Sequence, residues 1–374
     1  MPSVAAFVRG WFNEPAPTFE LRQASARWGQ PRPRAARRSL RVTDVIQETP
    51  STRTFVLEPP GDGTPPLSFR AGQHLTVVVE ANGTTHRRCY SFSTPPLAGA
   101  QPAITVKRMP DGLVSRHLHD RIRAGDTLVV DEPTGGFTVD TDPSSARDIV
   151  LVAGGVGITP LMSIAETVLR AEPGSRVVLL CGNRSEDEII FAQRIARLAA
   201  EFAPRLLVRH ALDAASEGWT GLRGALDGPL VLQALEGRAA DAYYVCGPEP
   251  MMRSVCEALA ASGVASERIH TERFVYASAA TTRIPAHAAE ITFARSGRRI
   301  TARAGQTILQ AGLDAGLDLP SSCTMGGCGA CKLHKTEGTV VMSEPNCLSD
   351  SEREAGYILA CCAYADTNVV LADH

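Results

Sequence analysis

Cys323-Thr-Met-Gly-Gly-Cys328-Gly-Ala-Cys331 is the stretch that decides the architecture of this 374-residue chain. Four residues separate its first two cysteines, and two residues separate the second from the third. The next candidate in the series, Cys361, follows after 29 intervening residues. Thiolates at such spacing can share a metal centre, and the glycines of the stretch leave room for backbone N–H groups to approach the sulfur atoms.

This spacing is that of plant-type [2Fe–2S] ligation, in which four cysteine thiolates hold two iron ions. It predicts Cys323, Cys328, Cys331 and Cys361 as the ligands. A structural zinc site is the alternative, although such sites prefer shorter, paired cysteine units. The chain has ten cysteines and begins without the long apolar core of a signal peptide. Both features favour a cytoplasmic protein with metal-binding or redox-active thiols over one with disulfides.

Residues 288–374, which contain these cysteines, resemble a plant-type ferredoxin domain. The resemblance implies a β-grasp fold for residues 290–374. Through the sequence Ile358-Leu-Ala-Cys361 it favours Cys361 as the fourth ligand over the adjacent Cys362. The pattern before the cysteines predicts two short strands followed by a helix.

The rest of the chain divides into four segments. Residues 1–38, rich in Arg and Pro, are expected to form an N-terminal extension. Residues 39–143 show short alternating strands with Gly- and Pro-containing turns, which predicts an antiparallel β-barrel. Residues 144–278 alternate buried apolar strands with helical stretches, which predicts a doubly wound parallel sheet. Residues 279–289 form a linker. We therefore expect a multidomain chain that combines α+β and α/β domains.

The barrel segment carries the sequence Arg88-Cys89-Tyr90-Ser91, which suits a flavin. Arginine can neutralise a phosphate through two hydrogen bonds. An aromatic side chain two residues further on lies on the same face of a strand and can cover a flat ring. The adjacent serine hydroxyl can bond the redox-active edge of that ring. All four residues are therefore candidates for flavin binding.

A second candidate flavin contact is Gly112-Leu-Val114-Ser115, which precedes a predicted helix. The helix N-terminus would offer N–H groups to the pyrophosphate of the flavin cofactor, with Ser115 as the N-cap residue. Gly112, Val114 and Ser115 are predicted contacts, and Lys107 is a further one.

In the parallel-sheet segment, Gly154-Gly155-Val-Gly157-Ile-Thr159-Pro160 follows the first predicted strand and opens a helix. A glycine-rich turn in this position lets the backbone approach a pyrophosphate. Gly155, Gly157, Thr159 and Pro160 are therefore predicted to bind a nicotinamide coenzyme.

Two other strand ends are candidates for the same site. Cys246-Gly247-Pro248 closes the fourth predicted strand, and Phe274 follows the last one. The chain after the second strand, Asn183-Arg184-Ser185, is expected near the adenosine ribose. Arg184 and Ser185 could hold a 2′-phosphate, which favours NADPH, whereas the acidic pair that follows, Glu186 and Asp187, favours NADH.

Taken together, residues 39–374 resemble the ferredoxin–NADP reductase superfamily. The resemblance implies FAD in the barrel and NADH or NADPH in the parallel-sheet domain. It implies that Ser91, Cys246 and Phe274 shape hydride transfer, with Cys246 where the nicotinamide meets flavin N5. The order of the domains looks like that of the reductases of phenylacetyl-CoA epoxidase, ketosteroid hydroxylase and glycine-betaine demethylase. Phthalate-dioxygenase-type reductases share the order but use FMN.

The implied function is electron transfer from NAD(P)H through FAD and the [2Fe–2S] cluster to a terminal oxygenase of the Rieske or diiron type. The flavin is needed because hydride carries two electrons and the cluster accepts one at a time. A reductase for hybrid-cluster protein or another acceptor, and an iron–sulfur redox sensor, are the alternatives.

Charge and hydropathy limit the partners of the chain. The net charge of −2 gives no sign of nucleic-acid binding. Residues 287–374 nevertheless hold ten acidic against seven basic side chains, which favours docking on a basic partner surface. No run approaches the ~18 apolar residues of a transmembrane segment.

Overall fold

The computed structural model describes residues 37–61, 65–81, 84–274, 284–324, 326–344, 346–348 and 350–372. Residues 1–36 of the expected N-terminal extension and residues 279–283 of the expected linker lie outside the described residues. Four buried apolar clusters form the cores of the described parts.

An antiparallel sheet forms the first part of the described chain. Its strands are β1 (Arg38–Thr49), β2 (Thr52–Glu58), β3 (His74–Ala81), β4 (Thr84–Ser91), β5 (Ala103–Lys107) and β6 (Thr127–Val130), in the spatial order β4-β3-β6-β1-β2-β5. A bridge between Phe92 and Ile104 joins the chain just after β4 to β5 and so closes the sheet into a barrel. Helix α1 (Leu113–Arg121) packs Val114 and Leu118 into the apolar core of this barrel.

A parallel sheet forms the second part. Its strands are β7 (Asp148–Gly154), β8 (Arg176–Asn183), β9 (Leu206–Leu212), β10 (Leu222–Arg223), β11 (Ala242–Cys246) and β12 (Ile269–Glu272). Its helices are α2 (Ile158–Ala171), α3 (Ala192–Glu201), α4 (Gly228–Leu235) and α5 (Glu249–Ala261), with short 3₁₀ turns at Gly155–Gly157, Glu186–Glu188 and Ser266–Arg268.

The strand order β10-β9-β8-β7-β11-β12 explains where this sheet can bind a ligand. The chain runs outward from β7 to one edge and then returns to β11 beside β7. The carboxyl ends of β7 and β11 therefore meet at a topological switch point, where open α/β sheets bind their ligands. Apolar cores lie on both faces of the sheet, as the buried strands predict.

A mixed sheet forms the third part, in the order β14-β13-β19-β15-β17. Its strands are β13 (Ala289–Phe293), β14 (Arg298–Ala302), β15 (Lys332–Glu337), β17 (Tyr357–Leu359) and β19 (Val369–Ala372), and a second pair is β16 (Val340–Met342) with β18 (Ala363–Ala365). Helices α6 (Ile308–Asp314) and α7 (Asp350–Glu354) complete it. Thr307 caps α6 by accepting a hydrogen bond from the backbone N–H of Gln310.

The predicted fold class is confirmed in all three parts. The barrel, the doubly wound parallel sheet and the sheet-and-helix C-terminal domain follow one another in the predicted order. The parallel pairing of β13 with β19 inside an otherwise antiparallel sheet, with α6 packed on it, is the arrangement of a β-grasp domain.

Candidate functional site

A cavity of about 520 Å³ is lined by residues from all three domains. Four regions reach it: the end of β4, the turn before α1, the strand ends of the parallel sheet, and the cysteine loop. Twelve predicted site residues line the cavity: Arg88, Cys89, Tyr90, Ser91, Lys107, Gly112, Val114, Ser115, Thr159, Phe274, Cys323 and Cys328. The three groups of motifs therefore converge on one space, although they are far apart in sequence.

The barrel side of the cavity has a cationic side chain suited to a phosphate. Arg88 lies in β4, and its guanidinium donates a hydrogen bond of 2.7 Å to the carbonyl oxygen of Arg87. Among the described residues, no carboxylate forms an ion pair with Arg88, so its charge faces the cavity uncompensated. Tyr90, two residues along the same strand, is half-buried against the barrel core and also lines the cavity. The pair fits the predicted phosphate and ring contacts of a flavin.

The prediction that Ser115 is the N-cap of helix α1 is wrong. The helix begins at Leu113, and Gly112 is the N-cap residue. The Ser115 hydroxyl instead accepts a hydrogen bond of 3.1 Å from the Met109 N–H and donates one of 3.1 Å to the Gly112 carbonyl. A Cβ at Gly112 would lie 2.4 Å from that hydroxyl oxygen, so this tight turn requires glycine. Gly112, Leu113, Val114 and Ser115 at this helix start line the cavity, and helix N-termini suit a pyrophosphate.

The glycine-rich turn after β7 lies at the switch point of the parallel sheet. A Cβ at Gly157 would lie 2.1 Å from the carbonyl oxygen of Cys246, so the turn can approach the end of β11 only without a side chain. Gly155 has a φ of +50°, which glycine adopts without strain. Thr159 is buried, donates to the carbonyl oxygen of Val156 at 3.1 Å and lines the cavity.

The other predicted coenzyme contacts at the start of α2 and at the end of β11 do not line the cavity. Pro160 is buried in α2. Gly247 packs so closely against the backbone of Gly154 that a Cβ on Gly247 would lie 2.9 Å from the Gly154 nitrogen. Pro248 is the N-cap residue of α5. These residues shape the strand ends of the switch point rather than the cavity surface itself.

Cys246 is fully buried at the end of β11 and is not among the residues that line the cavity. Burial, together with the charge of Glu272, raises the pKa of its thiol well above the usual value, so the thiol is neutral. Phe274 packs against the core of the parallel-sheet domain and also lines the cavity. Their predicted roles in hydride transfer stay predictions.

The expected ribose contacts lie at the end of β8, outside the cavity. Ser185 donates a hydrogen bond of 2.6 Å to the carboxylate of Asp187. Glu186 accepts hydrogen bonds from the N–H and hydroxyl of Ser216, at 3.2 and 2.5 Å. Asn183 ends β8, and the exposed side chain of Arg184 follows it. Because basic and acidic groups lie together here, either NADH or NADPH remains compatible with the site.

The cysteine loop surrounds its sulfur atoms with backbone N–H donors, which is what an iron–sulfur cluster needs. Gly326 donates to the sulfur of Cys361 at 3.0 Å, and Gly327 donates to that of Cys323 at 3.4 Å. The N–H groups of Cys323 and Cys361 lie 3.5 Å from the sulfurs of Cys328 and Cys331. Gly326 has a φ of +77°, and a Cβ there would meet the Cys362 sulfur at 3.0 Å.

The same contacts distinguish the two neighbouring candidates for the fourth ligand. The sulfur of Cys361 faces the glycine N–H groups of the loop, whereas that of Cys362 donates a hydrogen bond of 3.6 Å to the carbonyl oxygen of Leu359. The donor set therefore fits the predicted cluster, with Cys361 as the fourth ligand.

Two side chains of this region, the buried His74 and the partly buried Glu272, carry no site prediction from the sequence. His74 begins β3 directly across from Ser91, and Glu272 ends β12. Ser91 donates a hydrogen bond of 3.1 Å to one Glu272 carboxylate oxygen, and the other oxygen lies 3.8 Å from Nδ1 of His74. Burial lowers the pKa of His74, but the nearby Cys328 sulfur and Glu272 carboxylate outweigh burial and raise it to about 9.

No helix in the described part of the chain has the length and apolar character needed to cross a membrane.

Comparison with protein families assigns a cofactor to each of the three domains. The family described as an oxidoreductase FAD-binding domain matches residues 39–139. The family described as an oxidoreductase NAD-binding domain matches residues 151–257. The 2Fe-2S iron-sulfur cluster binding domain matches residues 291–366.

Similar proteins align with most of this chain. The glycine betaine monooxygenase reductase subunit of Pseudomonas aeruginosa is 33% identical over 358 residues, which cover 90% of this chain and 95% of that protein. The 3-ketosteroid-9-alpha-monooxygenase ferredoxin reductase component of Rhodococcus rhodochrous is 34% identical over 335 residues, covering 86% and 92%. The solved structure of phthalate dioxygenase reductase superposes with a TM-score of 0.60 and 28% identity, covering 90% of this chain and 97% of that one.

The family matches and these full-length similarities agree with the geometry of the cavity and of the cysteine loop. The chain belongs to the family of oxidoreductases, known as reductase components, that combine an FAD-binding domain, an NAD-binding domain and a 2Fe-2S cluster domain in one polypeptide.

Proposed function

We propose that this chain transfers electrons from NADH or NADPH, through FAD and a [2Fe–2S] cluster, to a partner oxygenase. The observation that carries the proposal is the cavity shared by Arg88 and Tyr90 of the barrel, Thr159 and Phe274 of the NAD-binding domain, and two cluster cysteines. Electrons cross protein most easily over short distances, so a shared cavity is what a relay needs. Relatives that serve a betaine monooxygenase and a ketosteroid monooxygenase support an oxygenase as the acceptor.

The bound FAD would accept hydride and release electrons singly, which matches the two-electron donor to the one-electron cluster. The residues of the barrel bind and orient it. Arg88 neutralises a phosphate oxygen, and the N-terminal N–H groups of α1 receive the pyrophosphate. Tyr90 covers the ring by aromatic contact.

The residues of the NAD-binding domain orient the nicotinamide. The glycine turn at Gly155 and Gly157 lets the pyrophosphate approach the start of α2. Cys246, a neutral and fully buried thiol, would shape the end of β11 beside the nicotinamide, so it would help to position the ring without acting as a nucleophile. The hydrogen bond from Ser91 to Glu272 holds the Ser91 hydroxyl in a fixed position, where it would face the edge of a bound flavin.

Cys323, Cys328, Cys331 and Cys361 would hold the cluster, which would supply single electrons to the partner. Ten acidic against seven basic side chains in residues 287–374 favour an encounter with a basic partner surface. Turnover with the partner oxygenase should therefore fall as salt concentration rises, because screening weakens such an encounter. Turnover that stays constant between low and high salt would contradict this docking mode. A chain with ten cysteines, four of them proposed as cluster ligands and none in a disulfide within the described residues, fits a cytoplasmic location.

The test separates flavin activity from cluster activity in the purified protein. Cys331→Ser should abolish NAD(P)H-driven reduction of cytochrome c, which takes single electrons, and leave reduction of ferricyanide at the flavin intact. Rapid multiple turnover of the wild-type protein with either acceptor would exclude a redox sensor. Loss of both activities in Cys331→Ser with FAD retained, or a colourless wild-type protein, would contradict the proposal.

A further inference from the structure

The junction between the barrel and the cysteine loop contains groups that the electron path described above does not use. Strands β3 and β4 pair with Thr76 opposite Cys89 and His74 opposite Ser91, so these four side chains share one face of the barrel. Arg88 and Tyr90 alternate to the opposite face of β4. The strand that supplies the flavin contacts therefore presents a second, polar face.

This polar face lies against a cluster ligand. A ring nitrogen of His74 and the sulfur atoms of Cys89 and Cys328 all lie within 4.8 Å of one another. The hydroxyl of Ser322, beside the first cluster cysteine, lies 2.6 Å from the Thr76 hydroxyl and 3.8 Å from the Cys89 sulfur. The barrel thus contacts the cysteine loop through side chains that can donate hydrogen bonds.

The position of the His74 ring is fixed on its other sides. Nε2 of His74 lies 3.0 Å from the hydroxyl oxygen of Thr134, and Nδ1 faces the Glu272 carboxylate at 3.8 Å. A Cβ at Gly135 would lie 2.9 Å from Nδ1, so the neighbouring backbone packs directly on the ring. Only 4% of His74 is exposed. Packing of this kind holds a donor in one geometry.

We propose that His74 donates a hydrogen bond from Nδ1, the ring nitrogen that Thr134 does not engage, to the Cys328 sulfur, and that Cys89 approaches the same sulfur. Together they set the reduction potential of the iron–sulfur cluster relative to the flavin. His74 acts through Cys328 and is therefore a positioning residue rather than a catalytic one. The inference rests on the proposed function, since it concerns the step from the flavin to the cluster. It adds that the FAD-binding domain itself contributes to the environment of the cluster.

The direction of the effect follows from charge. Reduction adds an electron to the cluster, and a donor at a ligand sulfur stabilises the more negative state. Removing the donor should therefore lower the potential of the cluster and leave that of the flavin unchanged. Electrons would then remain longer on the flavin.

The test compares His74→Phe with His119→Phe in the full-length protein containing FAD and cluster. His119 is also buried in the barrel, bonded to the Val106 carbonyl oxygen, but does not line the cavity. The cluster is titrated by electron paramagnetic resonance and FAD by absorbance. In His74→Phe, and not in His119→Phe, the equilibrium constant for one electron on FAD rather than on the cluster should rise tenfold. For one electron this shift equals about 59 mV. Cys89→Ala should shift it in the same direction by less.

Equal cluster potentials in His74→Phe, His119→Phe and wild type would overturn the inference. A second measurement uses the wild-type protein, so that failed folding of a variant does not decide the matter. With 15N-labelled histidine, pulsed resonance of the reduced cluster should detect a coupled histidine nitrogen, and its absence would overturn the inference. A wild-type protein that NAD(P)H cannot reduce at the cluster would instead defeat the proposed function.

Discussion

The hydroxyl oxygens of Thr76 and Ser322 lie 2.6 Å apart in a buried hydrogen bond, although 246 positions separate the two residues in sequence. Thr76 belongs to β3 of the FAD-binding barrel, and Ser322 directly precedes the first cluster cysteine. Arg273, at the end of the NAD-binding domain, adds a hydrogen bond of 3.3 Å to the carbonyl oxygen of Leu348. The cluster domain is therefore attached to both other domains by polar contacts near the cavity.

Ser322→Ala should slow electron transfer from the flavin to the cluster. The variant removes a hydrogen bond worth about 1 kcal/mol and removes the Ser322 partner of the Thr76 hydroxyl. The cysteine loop is then no longer held at one distance from the barrel. Stopped-flow absorbance should show unchanged flavin reduction by NAD(P)H and slower reduction of the cluster. Ser321→Ala, at the neighbouring half-buried position, is the control and should match the wild type. Identical cluster reduction in both variants would mean that this bond does not position the loop.

Cys361→Ser and Cys362→Ser should differ completely in iron content. The Cys361 sulfur accepts the Gly326 N–H inside the loop, whereas the Cys362 sulfur bonds the Leu359 carbonyl oxygen. We expect Cys361→Ser to lose the cluster absorbance and Cys362→Ser to keep both iron atoms. Iron and sulfide analysis with the visible spectrum measures this directly. The reverse pattern would assign Cys362 as the fourth ligand.

Local sequence signals predicted the parts of the site that one segment builds alone. The cysteine spacing, the glycines after β7 and the alternation of β4 all report contacts between residues close in sequence. The start of α1 was predicted too late because the Ser115 hydroxyl looked like a cap. In the structure, that hydroxyl instead closes the turn from Met109 to Gly112.

His74 and Glu272 could not be predicted in the same way. His74 begins a strand with no motif around it. Glu272 lies two residues before the predicted Phe274, but its contact with His74 depends on how the barrel packs on the parallel sheet. The link from His74 to Cys328 depends in addition on the docking of the cluster domain. The contacts of Cys89 could not be predicted either. The alternation of side chains along β4 places Cys89 on the face opposite Arg88 and Tyr90, but it does not show which domain packs against that face.

Arg88→Ala should yield protein that contains iron but little flavin. Charge-assisted hydrogen bonds are worth about 1.5–3 kcal/mol, so affinity for FAD should fall about 10- to 100-fold. Arg87→Ala is the matched control, because Arg87 faces Asp131 at 3.3 Å rather than lining the cavity. Flavin-to-iron ratios of the purified variants test the prediction. Full flavin retention in Arg88→Ala would argue against a phosphate contact.

Arg194→Ala should slow hydride transfer without releasing FAD. Arg194 of α3 donates to the Ser93 carbonyl oxygen at 2.8 Å and to Glu166 at 2.6 Å, so it joins the NAD-binding domain to the chain just after the flavin motif. A small misplacement of reacting groups can cost about 100-fold in rate. We expect the rate of flavin reduction by NAD(P)H, measured in single turnover, to fall by up to about 10-fold. Arg197→Ala, at an exposed position of the same helix, should leave the rate unchanged.

Glu172→Gln should destabilise the NAD-binding domain at neutral pH and remove part of its acid sensitivity. The Glu172 carboxylate is fully buried, accepts bonds of 2.7 and 3.0 Å from Arg147, and accepts one of 2.6 Å from Ser175. Burial raises its pKa, but these bonds outweigh burial and hold the pKa below its usual value of 4.5. The variant should lose about 2–3 kcal/mol, less than a fully buried pair would, because Arg147 is 28% exposed.

The sign of the pH dependence follows from that lowered pKa. A carboxyl group that is more acidic in the folded than in the unfolded protein contributes stability above pH 4.5, and this contribution disappears as pH falls through the folded-state pKa. The wild type and Glu172→Gln should therefore differ most at neutral pH and converge in acid, as measured by calorimetric unfolding. Asp148→Asn, which breaks an exposed pair with Arg176, should cost at most about 1 kcal/mol. A difference between wild type and Glu172→Gln that stays constant down to pH 3 would show that the Glu172 charge does not stabilise this domain.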